Sequence, residues 1–300
     1  MPENDEAPLG IVTPVKNESA NLARLALTIF RQTKRPATWI IVDDGSTDET
    51  PQVIASLKER HDFIDHLPLQ TKDLTYDPIF RYGALIRLGF EHAKRMRDDL
   101  KFLGVLDADI LLKSDYYDKI LTAFDVDSRL GIISGIYVVS RGGNPRSLEV
   151  LDTICGGAMV FRKECLLNIG GFPVCPSPDT AAMIKAVNRG WRLGVVSSVY
   201  AVHTRVNESW TKFVKLGLSR YILSLHPLSA LFSGLLQVPK SFSMKPLGFT
   251  IGYIIGAISN AERISDEEVK QYFHGRFQRS MCRRIGKCEL DPIKLALIKL

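Results

Sequence analysis

Short apolar runs alternate with amphipathic stretches along roughly the first two-thirds of the chain. GIVTPV (10–15) reads as a strand broken by Pro14, and the following NESANLARLALTIFRQT sets Leu22, Leu25, Ile29 and Phe30 on one helical stripe. WIIVD (39–43) has no polar alternation, the pattern of a strand covered on both faces. Ser46 and Glu49 have capping-box spacing, which predicts that the next helix begins at Ser46. FIDHLPLQ (63–70) predicts a third strand, and RYGALIRLGFEHAKRM (81–96) a helix with Tyr82, Leu85, Ile86, Phe90, Ala93 and Met96 on one side. KFLGVLDADI (101–110) and GIISGIYVVS (131–140) predict two further strands, and PSPDTAAMIKAVNRGWRLGVVSS (176–198) a helix, a glycine stop and a strand. Strands and helices alternating at this pace imply right-handed crossovers. The expected fold class is α/β, a mainly parallel sheet flanked by helices.

The pattern changes from about residue 216. YILSLHPLSALFSGLLQV (221–238) and PLGFTIGYIIGAISN (246–260) carry no formal charge. The first has the minimal length for a bilayer but contains Pro227 and polar residues, and the second is too short to span one. With Lys240 and Lys245 between them and the basic QYFHGRFQRSMCRRIGK (271–287) after them, these segments predict helices lying in a membrane interface. Helices packed on the α/β domain are the plainer alternative. The expected organisation is an acidic mobile tail (1–8), an α/β domain (9–215) and a helical, membrane-associating extension (216–300).

A content of 45% hydrophobic residues can bury a full core over this length. The net charge of +6 suits anionic partners such as nucleotides or phospholipid headgroups, although a mildly basic protein needs no such explanation. Five cysteines without a CxxC pair read as reduced thiols, and the N-terminus lacks the apolar stretch of a secretory signal. The expected location is therefore cytoplasmic, at the inner face of the membrane. Nucleic acid is not an expected partner, because the basic tail lacks a fold signature and aromatic interleaving.

Two strands run into carboxylates: Asp43 and Asp44 after WIIV, and Asp107 and Asp109 after KFLGVL. Adjacent like charges at a strand end need partners. In open α/β sheets ligands occupy the crevice beyond the carboxyl ends of the strands. The spacing of Asp107 and Asp109 lets both face one cleft and offer hard oxygen ligands to a divalent cation. A turn, a helix cap or a solvated loop uses the same residue types, so each pair has a plain structural alternative.

The order of the pieces resembles the inverting nucleotide-sugar glycosyltransferases of family 2, which have the GT-A fold. The matching residues are TPVKNES (13–19), VDDGSTDET (42–50), RYGALI (81–86), LDADI (106–110), GGAMVFRKECLLNIGGF (156–172), PDTAAMIKAVNRGW (178–191) and His203. The resemblance covers roughly residues 8–215. It implies a UDP- or GDP-sugar donor, a glycan or lipid-linked acceptor, and Mg²⁺ or Mn²⁺ as cofactor. Thr13, Pro14, Val15 and Glu18 would line the base and ribose pocket, and Asp43, with Asp44 beside it, would accept from the base. Arg81 would meet the nucleotide or its phosphates. Asp107 would hold the ribose or the metal and Ala108 would contact the nucleotide, while Asp109 would hold the metal and His203 would complete the metal or phosphate site. Gly156, Gly157 and Ala158 would approach the sugar and acceptor. Asp179 would be the catalytic base; Pro178 stands where the family most often has a first acidic residue.

Two other function classes fit fewer features. A nucleotide-sugar binder without catalysis would keep the cleft, but Asp107, Asp109 and Asp179 are all present. A signalling receiver also places an Asp pair after a strand, but this pair follows a second strand and a later strand ends in another acidic cluster.

Overall fold

The computed structural model describes residues 5–70, 78–140, 148–151, 153–204, 209–231, 246–276, 279 and 293–300. The chain forms two compact units. The first comprises Met1–Val174, Ala186–Val206 and Leu295–Leu300; the second comprises Cys175–Lys185 and Asn207–Lys294.

The first unit is built on a ten-stranded sheet. Its strands are β1 (Asp5–Val15), β2 (Lys34–Asp43), β3 (Ile64–Pro68), β4 (Phe102–Val105), β5 (Ile110–Leu112), β6 (Leu130–Ser140), β7 (Leu148–Leu151), β8 (Val160–Arg162), β9 (Arg192–His203) and β10 (Leu295–Ile298). The order is β10-β9-β6-β8-β4-β1-β2-β3, with β5 on β9 and β7 on β6. The run β4-β1-β2-β3 is parallel, whereas β8 is antiparallel to both β4 and β6. Helices α1 (Ser19–Phe30), α2 (Thr50–Arg60), α3 (Pro78–Met96), α4 (Tyr116–Val126) and α5 (Lys163–Asn168) connect them. β2 is buried without a break from Pro36 to Asp43, because α3 packs on β1 and β2 and α4 reaches β2 as well. Leu22, Leu25, Ala26 and Ile29 of α1 enter the same core as Trp39 and Ile41. Each of these leucine and isoleucine side chains contributes about 1.5–3 kcal/mol by leaving water.

Several expected boundaries move. Asp5–Ala7 pair with Lys34–Pro36, so the described part of the expected mobile tail is strand; β2 begins early enough to give it a partner. Helix α2 starts at Thr50 rather than Ser46, because the Ser46 hydroxyl accepts from the Asn17 N–H (3.0 Å) and Asp48 accepts from Thr50 N–H (2.9 Å). The strand expected over 101–110 divides into β4 and β5. Asp107 N–H leaves the strand direction to donate to Gly157 O (2.8 Å), and Ile110 N–H closes a turn on Asp107 O (3.2 Å). Residues 295–298, expected in the helical extension, form β10, parallel to β9 through Leu193–Val196.

The second unit contains α7 (Trp210–Ile222), α8 (Leu247–Ile258), α9 (Glu267–His274) and the opening turns of α6 (Pro178–Asn188). Ser209 caps α7 by accepting from Lys212 N–H, and Asp266 caps α9 by accepting from Val269 N–H. Helices α7 and α8 meet backbone to backbone: a Cβ at Gly217 would lie 1.9 Å from Phe249 O, and one at Gly252 1.9 Å from Val214 O. Larger residues there would force the helices apart. Cys175, Ala181, Ile184, Leu223, Val269 and Phe273 form a core of this unit. No helix among the described residues is long and apolar enough to cross a membrane. The basic stretch 271–287 lies largely outside the described residues, as do Cys282 and Cys288; Cys155, Cys165 and Cys175 are free and buried.

Candidate active site

β1, β2 and β4 run parallel and side by side, so the loops after Val15, Asp43 and Val105 emerge at one edge. Those loops interlock. Asn17, at φ 55°, accepts from Thr47 N–H (2.8 Å), and Glu18 N–H donates to Thr50 Oγ1 (2.9 Å). The acidic, hydroxyl-rich STDET segment thus braces the loop after β1. A cleft of about 300 Å³ opens there. Pro14, Val15, Lys16 and Glu18 line one side, Asp44, Tyr82 and Leu85 another, and Asp107, Ala108 and Asp109 a third.

The two carboxylates after β2 have different partners. Asp43, nearly buried, accepts Ser46 N–H at Oδ1 (2.9 Å), and its Oδ2 lies 3.8 Å from His66 Nε2. Burial depresses the His66 pKa against the opposing pull of Asp43. Asp44 is bound by Arg81, whose Nε donates to Oδ1 (2.7 Å) and Oδ2 (2.6 Å) while Nη2 also reaches Oδ1. Lys16 Nζ stands 3.5 Å from Asp44 Oδ2. Arg81, which the sequence places at the nucleotide or its phosphates, closes its fork on Asp44, a residue 4% exposed, and hydrogen bonding to Asp44 raises its pKa. The repulsion of adjacent carboxylates is relieved by one turn N–H and one guanidinium.

Asp107 and Asp109 are positioned by neighbours from three elements. Tyr82 of α3 donates its hydroxyl to Asp107 Oδ1 (2.7 Å). Asp109 Oδ2 lies 3.0 Å from His203 Nε2, and Thr204 donates to Asp109 O through its N–H and its hydroxyl, both at 2.9 Å. Gly157, in the 3₁₀ turn Gly156–Ala158, backs onto Asp107: a Cβ there would lie 2.3 Å from Asp107 Oδ2. Behind this turn, buried Tyr116 donates to Ala158 O (2.7 Å) and accepts from Gly135 N–H (2.8 Å).

The structure therefore gathers Pro14, Val15, Glu18, Asp44, Asp107, Ala108 and Asp109 around one cleft, with His203 against Asp109. Thr13 departs from its expected place: fully buried, its hydroxyl accepts from Trp39 Nε1–H (2.9 Å), so its side chain belongs to the core. Of the 3₁₀ turn Gly156–Ala158, Gly157 supports Asp107 from behind and Ala158 O accepts from Tyr116. Asp179 belongs to the second unit, in the first turn of α6 and after Ser177 at φ 53°. Its charge there opposes the lowering of the Arg220 pKa to about 10, an effect led by burial; Arg220 donates to Ser177 Oγ (3.0 Å). Sequence reasoning missed Lys16, Tyr82 and Leu85 as cleft residues and Tyr116 as a support. Tyr82 and Leu85 sit on the apolar stripe of α3, where core packing was explanation enough.

Such a cleft, at the carboxyl edge of a parallel sheet, is where open α/β folds bind their ligands, and the mainly parallel sheet flanked by helices is that of the GT-A glycosyltransferase fold. The model for glycosyl transferase family 2 matches residues 10–191, more than half of the chain, and the chain belongs to that family. A solved structure similar in fold is mannosyltransferase PcManGT from Pyrobaculum calidifontis in complex with GDP-Man and Mn²⁺. It has 18% identity and a TM-score of 0.53, with 87% of this chain and 79% of that one covered. S. aureus TarS 1–349 in complex with UDP is a second, with 18% identity and a TM-score of 0.47 over 71% of this chain and 65% of that one. No curated protein matches the sequence.

Proposed function

We propose that the chain transfers a sugar from a UDP- or GDP-sugar to a hydroxyl or lipid-phosphate acceptor, with inversion in a single displacement and with a divalent metal. The observation that carries this is the Asp107–Asp109 turn opening into the cleft with His203 against Asp109. Among the described residues no three His, Cys, Asp or Glu side chains form a complete metal cage. The donor set nevertheless fits Mg²⁺ or Mn²⁺, which take one or two carboxylates and leave positions for phosphate oxygens and water. The 3.0 Å between Asp109 Oδ2 and His203 Nε2 also suits neighbouring ligands of one cation with bonds of about 2.1 Å. Asp109 and His203 would hold that cation, and the mannosyltransferase neighbour carries a donor and metal of this type.

In this mechanism Pro14, Val15 and Glu18 bind the nucleoside and Asp43 accepts from its base. Tyr82 keeps the Asp107 carboxylate facing the cleft. Asp179 takes the proton from an acceptor hydroxyl as it attacks the anomeric carbon, in keeping with its family position. What a divalent cation supplies is neutralisation of charge on the departing diphosphate. A thermal-shift screen of nucleoside diphosphates tests the proposal. UDP or GDP at about 100 times its Kd should raise Tm by roughly 5 °C with Mn²⁺ and far less in EDTA. Indifference to every nucleotide, or a metal-independent shift, would overturn it.

The proposal extends to a membrane surface. α8 carries no charge, and Ile251, Ile254, Ile255 and Ile258 are exposed while Gly248, Gly252 and Gly256 face α7. Lys212, Lys215 and Arg263 are exposed in the same unit. An apolar face accompanied by cations suits an anionic bilayer interface. The full chain should float with vesicles containing phosphatidylglycerol, and Ile254→Glu with Ile258→Glu should abolish flotation. A wild-type chain that stays at the bottom of the gradient refutes the membrane contact.

A further inference from the structure

We propose that Tyr137 is a positioning residue for the metal site, holding the His203 ring so that Nε2 stays beside Asp109. The inference rests on the proposed role of Asp109 and His203 in metal binding.

Tyr137 and His203 lie on the parallel neighbours β6 and β9, where Tyr137 is opposite Ala201 and Val139 opposite His203. The diagonal brings their rings to 6.1 Å between centroids with an interplanar angle of 26°, and Tyr137 Oη to 2.9 Å from His203 Nδ1. The other ring nitrogen lies 3.0 Å from Asp109 Oδ2. The imidazole is therefore held at both nitrogens, and its orientation is determined by two strands and a turn that are distant in sequence.

A phenol suits this place because its hydroxyl both donates and accepts. With the ring proton on Nε2, Tyr137 donates to Nδ1 and Nε2–H donates to Asp109. With the proton on Nδ1, Tyr137 accepts a hydrogen bond from it, and Nε2 would offer its lone pair to a cation held by Asp109. One residue thus supports both neutral tautomers without moving. A histidine that binds a metal commonly has its second nitrogen held by such a partner, and losing the partner costs about 10- to 100-fold in metal affinity.

Tyr137→Phe removes only the hydroxyl. The measurement is the gain in nucleoside diphosphate affinity on passing from EDTA to Mn²⁺, by calorimetry on the full chain, using the diphosphate selected by the thermal screen. Tyr137→Phe should lower that gain about tenfold, with the affinity in EDTA and Tm unchanged. His203→Ala should lower the gain at least as far, and adding Tyr137→Phe to it should cause no further loss. If Tyr137→Phe keeps the wild-type gain while His203→Ala loses it, Tyr137 is only a packing residue and the inference falls. An equal fall in EDTA also overturns it. If His203→Ala keeps the full gain, the proposed metal role of His203 fails first, and the role of Tyr137 with it.

Discussion

Gly157→Ala is expected to lower sugar transfer about a hundredfold while the chain still folds. The added Cβ would lie 2.3 Å from Asp107 Oδ2, 2.7 Å from Asp107 Cγ and 2.8 Å from Ile110 Cδ1. The turn is poorly placed to withdraw: its carbonyl accepts from Asp107 N–H, and Tyr116 ties the next carbonyl to Gly135. The Asp107 carboxylate must then swing out and abandon Tyr82. Overpacking of this kind costs about 1–3 kcal/mol in stability, but a misplacement of about 1 Å at a reacting site costs much more in rate. Nucleoside diphosphate release from the donor, followed beside Tm, separates the two effects. Wild-type turnover would show that Asp107 does not face the reacting donor.

Asp179→Asn is expected to lower turnover with hydroxyl acceptors by about 10²- to 10⁴-fold, the usual contribution of a general base. The amide has nearly the shape of the carboxylate and is tolerated in a first helical turn, but it cannot take the proton. Within the second unit Arg220 keeps its bond to Ser177, so the helix start retains that support. Donor affinity should not change. A lipid-phosphate acceptor is already anionic and should lose much less, so the ratio between acceptor classes reports which one the enzyme uses. Full activity of the variant on every acceptor would remove Asp179 from the mechanism.

The strand-helix alternation in the first two-thirds of the chain was legible because its apolar periods are strong. The unbroken run WIIV did become an interior strand. The carboxylates at 43, 44, 107 and 109 were legible as strand-end features for the same reason. Their partners were not, since Arg81 reaches Asp44 across 37 positions and His203 reaches Asp109 across 94. Thr13 shows the opposite limit: its motif suggested a ligand, and the buried indole of Trp39 claimed the hydroxyl.

By itself, then, the sequence determined the local periods, the residue types available for chemistry and the order in which the loops arrive at one edge. Tertiary structure decided which partner each carboxylate took and which of them line the cleft. It also divided the expected fourth strand at Leu106, because a hydrogen bond from Asp107 to Gly157 competes with continuation of the strand. Hydrogen bonds and ion pairs depend on distances of a few ångströms, and only the folded sheet brings residues so far apart in sequence within that range.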